Sequence, residues 1–206
     1  SNYLYTGTAT SNATDNATTK SINNGINFSG DGGMVWIKSR NDTHGHEIFD
    51  TTRGILKDIR TNKTDAEATV ASSLTAFNNN GFSIGDRFAV NENAINYASF
   101  SFRKAKGFFD VVTYTGNGTA GRTVSHSLGS VPGCIMIKRT SASDNWFVYH
   151  RGVDSSNPAD YYLSLNQTWD RSDSAVAFND TEPTASVFTV GAFSNVNSDG
   201  ETYVAY

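Results

Sequence analysis

The sequence predicts an all-β protein built of antiparallel β-sandwich, present as two tandem repeats with very little helix. Three observations predict it. The apolar segments are short and rich in β-branched and aromatic residues, as in Gly33-Met34-Val35-Trp36-Ile37-Lys38 and Tyr161-Tyr162-Leu163-Ser164-Leu165. Strong turn signals separate them, among them Asp31-Gly32-Gly33, Asn80-Gly81, Thr115-Gly116-Asn117-Gly118 and Asp199-Gly200. Finally, the second half of the chain carries landmarks of the first half in the same order.

Those landmarks are specific. Gly33-Met34-Val35-Trp36-Ile37-Lys38 aligns with Gly133-Cys134-Ile135-Met136-Ile137-Lys138 at an offset of 100. Phe82-Ser83-Ile84-Gly85 aligns with Phe188-Thr189-Val190-Gly191 at 106, and Val90-Asn91 and Tyr97 align with Val196-Asn197 and Tyr203 at the same 106. Tyr5-Thr6-Gly7 aligns with Tyr114-Thr115-Gly116 at 109. Ordered landmarks with small insertions between them are what duplication followed by loop drift leaves behind. The expected domains are 1–106 and 107–206, joined through 103–107, a stretch too short to act as a flexible linker. Either each repeat closes its own sandwich of five to seven strands, or the two contribute to one shared core. The register also places Tyr206 inside what the first repeat continues as the strand Ser99-Phe100-Ser101-Phe102, so the natural polypeptide is expected to run on past 206.

Taken in order, 34–38 and 134–138 are near-continuous apolar runs closed by Lys, fitting strands buried on both faces or central in a sandwich. Trp36 is expected in the core, and Cys134 is expected as a buried, inert thiol. The segment 108–115 has strand composition, as do Trp146-Phe147-Val148-Tyr149-His150 and 161–165. Only 63–74, with Asp65-Ala66-Glu67-Ala68, offers helix formers, and its Thr and Ser content favours one turn or a loop.

Composition bounds the function. Charged residues make up only 17% of the chain, and net charge is −4 with no basic run beyond Arg103-Lys104-Ala105-Lys106, which gives no electrostatic footprint for nucleic acid. No apolar run is long enough for a spanning helix, so membrane insertion is not expected. A single Cys excludes an intramolecular disulfide framework.

No catalytic set is expected. Glycoside cleavage needs two carboxylates about 5–10 Å apart in a cleft, and the acidic residues here fall mostly in turns. His44-Gly45-His46 reads as a polar loop, with only Glu47 beside it as a further ligand type. His126 reads as a structural hydrogen-bonder. His150-Arg151-Gly152 parallels Thr52-Arg53-Gly54, which suggests a shared turn with Arg clamping a carbonyl or carboxylate. Were that turn to bind a ligand, the residues would be Trp146, Tyr149, His150 and Arg151, with Trp169 in its polar segment as a stacking surface. Asn195-Val196-Asn197-Ser198-Asp199-Gly200 imitates the start of an EF loop, but the twelfth position is Tyr206 rather than Glu, so an Asp-Gly hairpin turn is expected there. No metal and no cofactor are expected from these residues.

Val112-Thr113-Tyr114-Thr115-Gly116-Asn117-Gly118, then His126-Ser127-Leu128-Gly129-Ser130-Val131-Pro132, then Ile135-Met136-Ile137-Lys138-Arg139 and Asn145-Trp146-Phe147-Val148-Tyr149-His150 together resemble a module of tailed-bacteriophage virion-surface and tail-fibre proteins. The closing segment 196–206 belongs to the same pattern. The first repeat departs from it, with Ser29-Gly30-Asp31-Gly32 at the turn and Ile48-Phe49-Asp50 at the aromatic strand. The resemblance implies a jelly-roll or laminin-G-like (concanavalin-like) sandwich, a fold that leaves room for a rim Ca2+. It further implies a non-enzymatic structural protein at the virion surface, as a fibre, tail or capsid-surface module. The implied partners are other virion proteins, further copies of the chain in a homo-oligomer, and host-surface glycans. A fold of this kind hosts many functions, and the alternative is a secreted carbohydrate-binding module of a cellular protein.

Overall fold

The computed structural model describes all of residues 1–206, and the chain is an antiparallel all-β protein whose only helices are single turns. It divides into two compact units, Ser1–Thr61 with Glu67–Lys104, and Asn62–Ala66 with Ala105–Tyr206.

In unit 1 the elements run β1 (Asn2–Thr6), β2 (Lys20–Asn23), α1 (Phe28–Asp31), β3 (Gly33–Ser39), β4 (Glu47–Asp50) and β5 (Lys57–Arg60). They continue with β6 (Ala68–Thr69), β7 (Leu74–Asn78), β8 (Gly81–Ile84), α2 (Phe88–Asn91) and β9 (Asn96–Arg103). The large sheet has the order β1-β9-β3-β4-β5-β6, and the small one is β2-β8-β7. Unit 2 runs β10 (Val112–Thr115), β11 (Arg122–Ser125), β12 (Cys134–Arg139), β13 (Phe147–His150), β14 (Tyr161–Ser164) and β15 (Ser172–Asp173). Then come α3 (Ala175–Phe178), β16 (Val187–Val190), α4 (Ser194–Asn197) and β17 (Thr202–Ala205). Its large sheet, β10-β17-β12-β13-β14-β15, follows the same order of strands, over a small sheet of β11-β16. Where unit 1 has β7, unit 2 has α3. Both do the same local work, since Ser73 and Ala177 offer their carbonyls to the N–H of Gly85 and Gly191, and Leu74 and Phe178 are both buried.

Strand alternation builds each core. In β3, Val35 and Ile37 point inward beside Phe49 of β4 and Tyr97 of β9, and Ile22, Leu74, Phe82 and Ile84 meet them from the small sheet. In unit 2, Ile135, Ile137, Phe147, Tyr149 and Tyr203 meet Val124, Phe188 and Val190. Each unit therefore has a core of its own. The opposite faces of the same strands are buried as well, at Met34 and Ile48 in unit 1 and at Trp146, Val148 and Val204 in unit 2. Burial of Met34 on the second face is why 34–38 reads as a near-continuous apolar run rather than an alternating one.

A two-tyrosine staple recurs in both units. Tyr5 of β1 stacks on Tyr97 of β9 with centroids 5.1 Å apart, and Tyr114 of β10 stacks on Tyr203 of β17 at the same 5.1 Å. Their hydroxyls grip the one-turn helix that leads into the closing strand of each unit. Tyr5 donates to Val90 O (2.7 Å) and Tyr97 to Phe88 O (2.5 Å), while Tyr97 accepts from Glu92 N (2.9 Å). In unit 2 Tyr114 donates to Val196 O (2.7 Å) and Tyr203 to Ser194 O (2.5 Å), while Tyr203 accepts from Ser198 N (2.8 Å). Burial raises the pKa of all four hydroxyls, so they stay protonated donors.

A buried Asn completes the staple. Asn91 accepts from Thr8 N (2.9 Å) and donates to Gly85 O (2.8 Å), and Asn197 accepts from Asn117 N (3.0 Å) and donates to Gly191 O (2.9 Å) and Thr119 O (2.8 Å). Gly7 and Gly116 must lack a side chain here, because a Cβ on either would collide with the backbone carbonyl oxygen of Glu92 or Ser198.

Residues 63–74 take the loop that their Thr and Ser content favours; they pass into β6 and turn into β7, because their β-branched Thr residues lose side-chain freedom in a helix and Ala68 and Thr69 pair with β5. Other segments differ from expectation. The strand predicted over 108–115 begins only at Val112, since Ala105 N bonds Phe109 O and closes a turn. Trp36 is half-buried on the outward face of β3, beside the His46 ring at 6.3 Å, because its neighbours Val35 and Ile37 take the core face. The segment 195–200 is α4 followed by a turn rather than a hairpin, for β16 and β17 lie in different sheets.

The staple generates a prediction. Asn197→Ala removes a fully buried side chain that holds three backbone groups, which then have no partner, at a cost of about 2–3 kcal/mol. Urea unfolding should show that loss, and Asn91→Ala should show a similar one in unit 1.

Candidate functional site

The five sequence-predicted ligand residues do not converge. Trp146 is wholly buried and stacks on Tyr206 at 6.2 Å. Tyr149 is a core residue whose hydroxyl donates to Glu182 Oε2 at 2.7 Å, and burial and Glu182 raise its pKa. Only His150, Arg151 and Trp169 are exposed. The reason is the two-residue period of β13, which sends Phe147 and Tyr149 into the core and Trp146 and Val148 to the other buried face. Trp169 stands apart on the β14–β15 loop, 56% exposed, in the same loop as Asn166 and Gln167, whose amides both donate to Asn145 Oδ1 (2.8 and 2.7 Å).

The two Arg-Gly turns do different jobs. Arg53 is a buried clamp: Nε donates to Asp50 Oδ2 (2.5 Å), and the guanidinium also reaches Lys57 O (3.0 Å), Ile48 O (3.1 Å) and Glu67 Oε2 (3.2 Å). Asp50 in turn accepts from the N–H groups of Thr52 and Arg53. In unit 2 the place of Asp50 is taken by His150, whose Nδ1 accepts only from Gly152 N (3.1 Å), and Arg151 lies on the surface.

Among the histidines, His44 Nε2 lies 2.7 Å from Glu92 Oε2 and 3.8 Å from Asp42 Oδ1. These three side chains each offer one ligand atom, all within 4.8 Å of one another. The Lys38 ammonium donates to Asp42 O at 3.0 Å, which sets a positive charge beside the cluster and opposes a second cation there. His126 is structural, with Nδ1 accepting from Leu128 N and Nε2 therefore donating to Thr184 O (3.2 Å). In the imitation EF segment, Asn197 spends its side chain on backbone groups and Asn195 bonds Asp144.

Perturbed titration is a guide to function, and two of the perturbed groups here are enclosed ones. Lys138 is fully buried, its Nζ donates to Arg139 O (2.7 Å), and burial brings its pKa down to about 8. Glu47 and Asp58 are buried carboxyls within hydrogen-bond reach of each other, sealed from solvent at 1% and 3% exposure.

A concave surface feature lies in unit 2, away from the residues that the sequence predicts for a ligand. It is an open, mainly apolar groove of about 70 Å³ lined by Phe108, Phe109, Leu128, Pro132, Cys134, Phe188 and Tyr206 among others. That volume is far below a small-molecule pocket and suits an inserted side chain. At the offset of 100, Leu128 stands where unit 1 has Phe28, which is buried and packs against Phe77 and Phe82 at 5.7 and 6.4 Å. Phe188, the counterpart of Phe82, lines the groove instead. Contrary to expectation Cys134 is exposed, on the outward face at the start of β12, although the surrounding protein desolvates its thiol and raises the pKa. A signal for the groove was present in the adjacent Phe108-Phe109, of which Phe108 is 63% exposed.

The two arginines separate structural from surface roles. Arg53→Ala leaves Asp50 buried without its counter-ion and should cost about 3–5 kcal/mol, whereas Arg151→Ala should fall within about 0.5 kcal/mol of the parent; paired denaturation curves measure both.

No curated protein and no solved structure matches the chain. One family model does, over residues 1–206 and hence across both units together. The protein belongs to that family, the domain of unknown function DUF7483.

Proposed function

We propose that the chain is a non-enzymatic structural protein of a tailed-phage particle, a module of the fibre, tail or capsid surface, made of two copies of one duplicated sandwich. The observation that carries this reading is the pair of units with one strand order and one tyrosine staple, each closed around its own core. Rigid sandwiches with Asn-, Thr- and Gly-rich loops offer surfaces for assembly and contact, and repetition multiplies weak contacts into avidity. The resemblance of the unit 2 segments to virion-surface modules points the same way. The apolar groove beside Phe108 supplies a place for a side chain of a virion protein or of another copy of the chain.

Imaging of intact particles with an antibody raised against the folded chain tests the proposal. Regularly spaced labels on the particle surface are the expected result, and purified particles free of the chain would overturn it.

A second reading, a carbohydrate-binding module, is favoured by the exposed Trp169 and the neighbouring Asn145, Asn166 and Gln167 amides. On that reading Trp169→Ala weakens retention on a glycan surface by about tenfold or more, the worth of one aromatic contact. Retention unchanged by the substitution counts against it.

A further inference from the structure

Unit 1 encloses a cluster of charge where unit 2 encloses aromatic rings. Glu47 opens β4 on the core face, sharing it with Phe49 two residues on. Across the ladder, Glu47 pairs with Arg60 and Ile48 with Ile59, so Asp58 of β5 falls opposite Phe49 on that same face. Arg87, at the N-cap of α2, reaches Asp58 Oδ2 at 3.5 Å. In unit 2 the matching places hold Phe147, Tyr162 and Phe193, the last again at the N-cap of its one-turn helix. Phe147 lies 4.7 Å from Tyr162 and 5.3 Å from Phe193, ring centre to ring centre.

The ionic version is not fully satisfied by protein donors. Glu47 Oε2 and Asp58 Oδ1 are both buried without a hydrogen-bond partner, as is Arg87 Nε. Yet the two carboxyls are within hydrogen-bond reach of each other. Two carboxylates that close, shielded from water, cannot both carry charge, and one proton between them removes the repulsion and supplies the missing donor. The surrounding charges decide which carboxyl keeps it. Arg87 lies against Asp58, and both Arg87 and Arg60 of β5 favour the Glu47 anion, but more weakly than burial and Asp58 oppose it. Asp86 bonds Thr18 N through one oxygen and has the other buried without a partner, so it offers no donor. His46 lies beside Trp36, and Ile37 of β3 faces Glu47 across the ladder.

We propose that Glu47 and Asp58 form a built-in proton-binding site, sharing one proton at neutral pH, and that losing it on the alkaline side loosens unit 1 while leaving unit 2 unaffected. Burial first, then the hydrogen bond and charge of Asp58, push the Glu47 carboxyl up to about 9. Because the folded value lies above the unfolded one, this contribution to stability is complete below about pH 4.3 and disappears as pH rises toward 9.

The test compares the parent chain with Glu47→Gln, which mimics the protonated carboxyl. In urea unfolding followed from about pH 5 to about pH 9.5, the midpoint of the variant should gain steadily on that of the parent. A gap that is constant with pH, or that narrows from an initial advantage of the variant, overturns the proposal. The parent chain alone gives an independent reading should the variant not fold. The Glu47 side-chain carbonyl carbon, followed by NMR, should report a protonated acid at pH 7, and a carboxylate signal there overturns the proposal just as firmly.

Discussion

The stacked tyrosine pair is the constraint on which each unit depends. The chain must leave the small sheet after β8 or β16 and enter the large sheet at β9 or β17, and a single helical turn makes the crossing. One turn of helix is too short to be stable by itself. Neither turn has a side-chain cap at its start. Its stability comes from outside, from two tyrosine hydroxyls on its carbonyls and one buried Asn that ties it to the loop after the first strand. Most landmarks shared by the two halves of the sequence lie in this arrangement or beside it: the Tyr and Gly of the first strand, the Gly after β8 and β16, the Val-Asn pair and the Tyr of the closing strand.

Around this fixed scaffold the filling varies. Unit 1 places Glu47, Asp58 and Arg87 where unit 2 places three rings, without a change in strand order or in the crossing turn. Exchange of a buried ionic group for well-packed apolar residues is often neutral or stabilising, which is why both fillings fit one backbone. What differs is the response to conditions. Phe147 and Phe193 have no proton to lose, and a buried carboxyl does.

The strands were legible because composition and turn chemistry act locally. Val35, Ile37, Ile135 and Ile137 declare their strands in any context, and the Asp-Gly and Asn-Gly pairs mark where they end. Partners across the sheets were not legible. Trp146 and Tyr149 look like a binding surface in a linear reading and become buried once β13 is covered on both faces. The groove was not legible because it arises from an exchange, Leu128 for Phe28, whose effect depends on Phe188 across the sandwich. The carboxyl pair was hidden for a similar reason. Glu47 and Asp58 are eleven positions apart in sequence and meet only through the β4–β5 register, although an acid two residues before the inward Phe49 was a visible irregularity.

The ionic filling also restricts how such a chain can change over time. Replacing Glu47 alone with a ring strands Arg87 and Asp58 in a space sized for a carboxyl, and replacing Arg87 alone strips Asp58 of its neighbouring cation. Substitutions at touching sites do not add, so each single step passes through a damaged intermediate even though both endpoints are sound. Positions 47, 58 and 87 should then be inherited as a block. Among related chains the three should be found all ionic or all aromatic, with mixed sets rare, and that covariation would be written into the family by electrostatics rather than by any shared ligand.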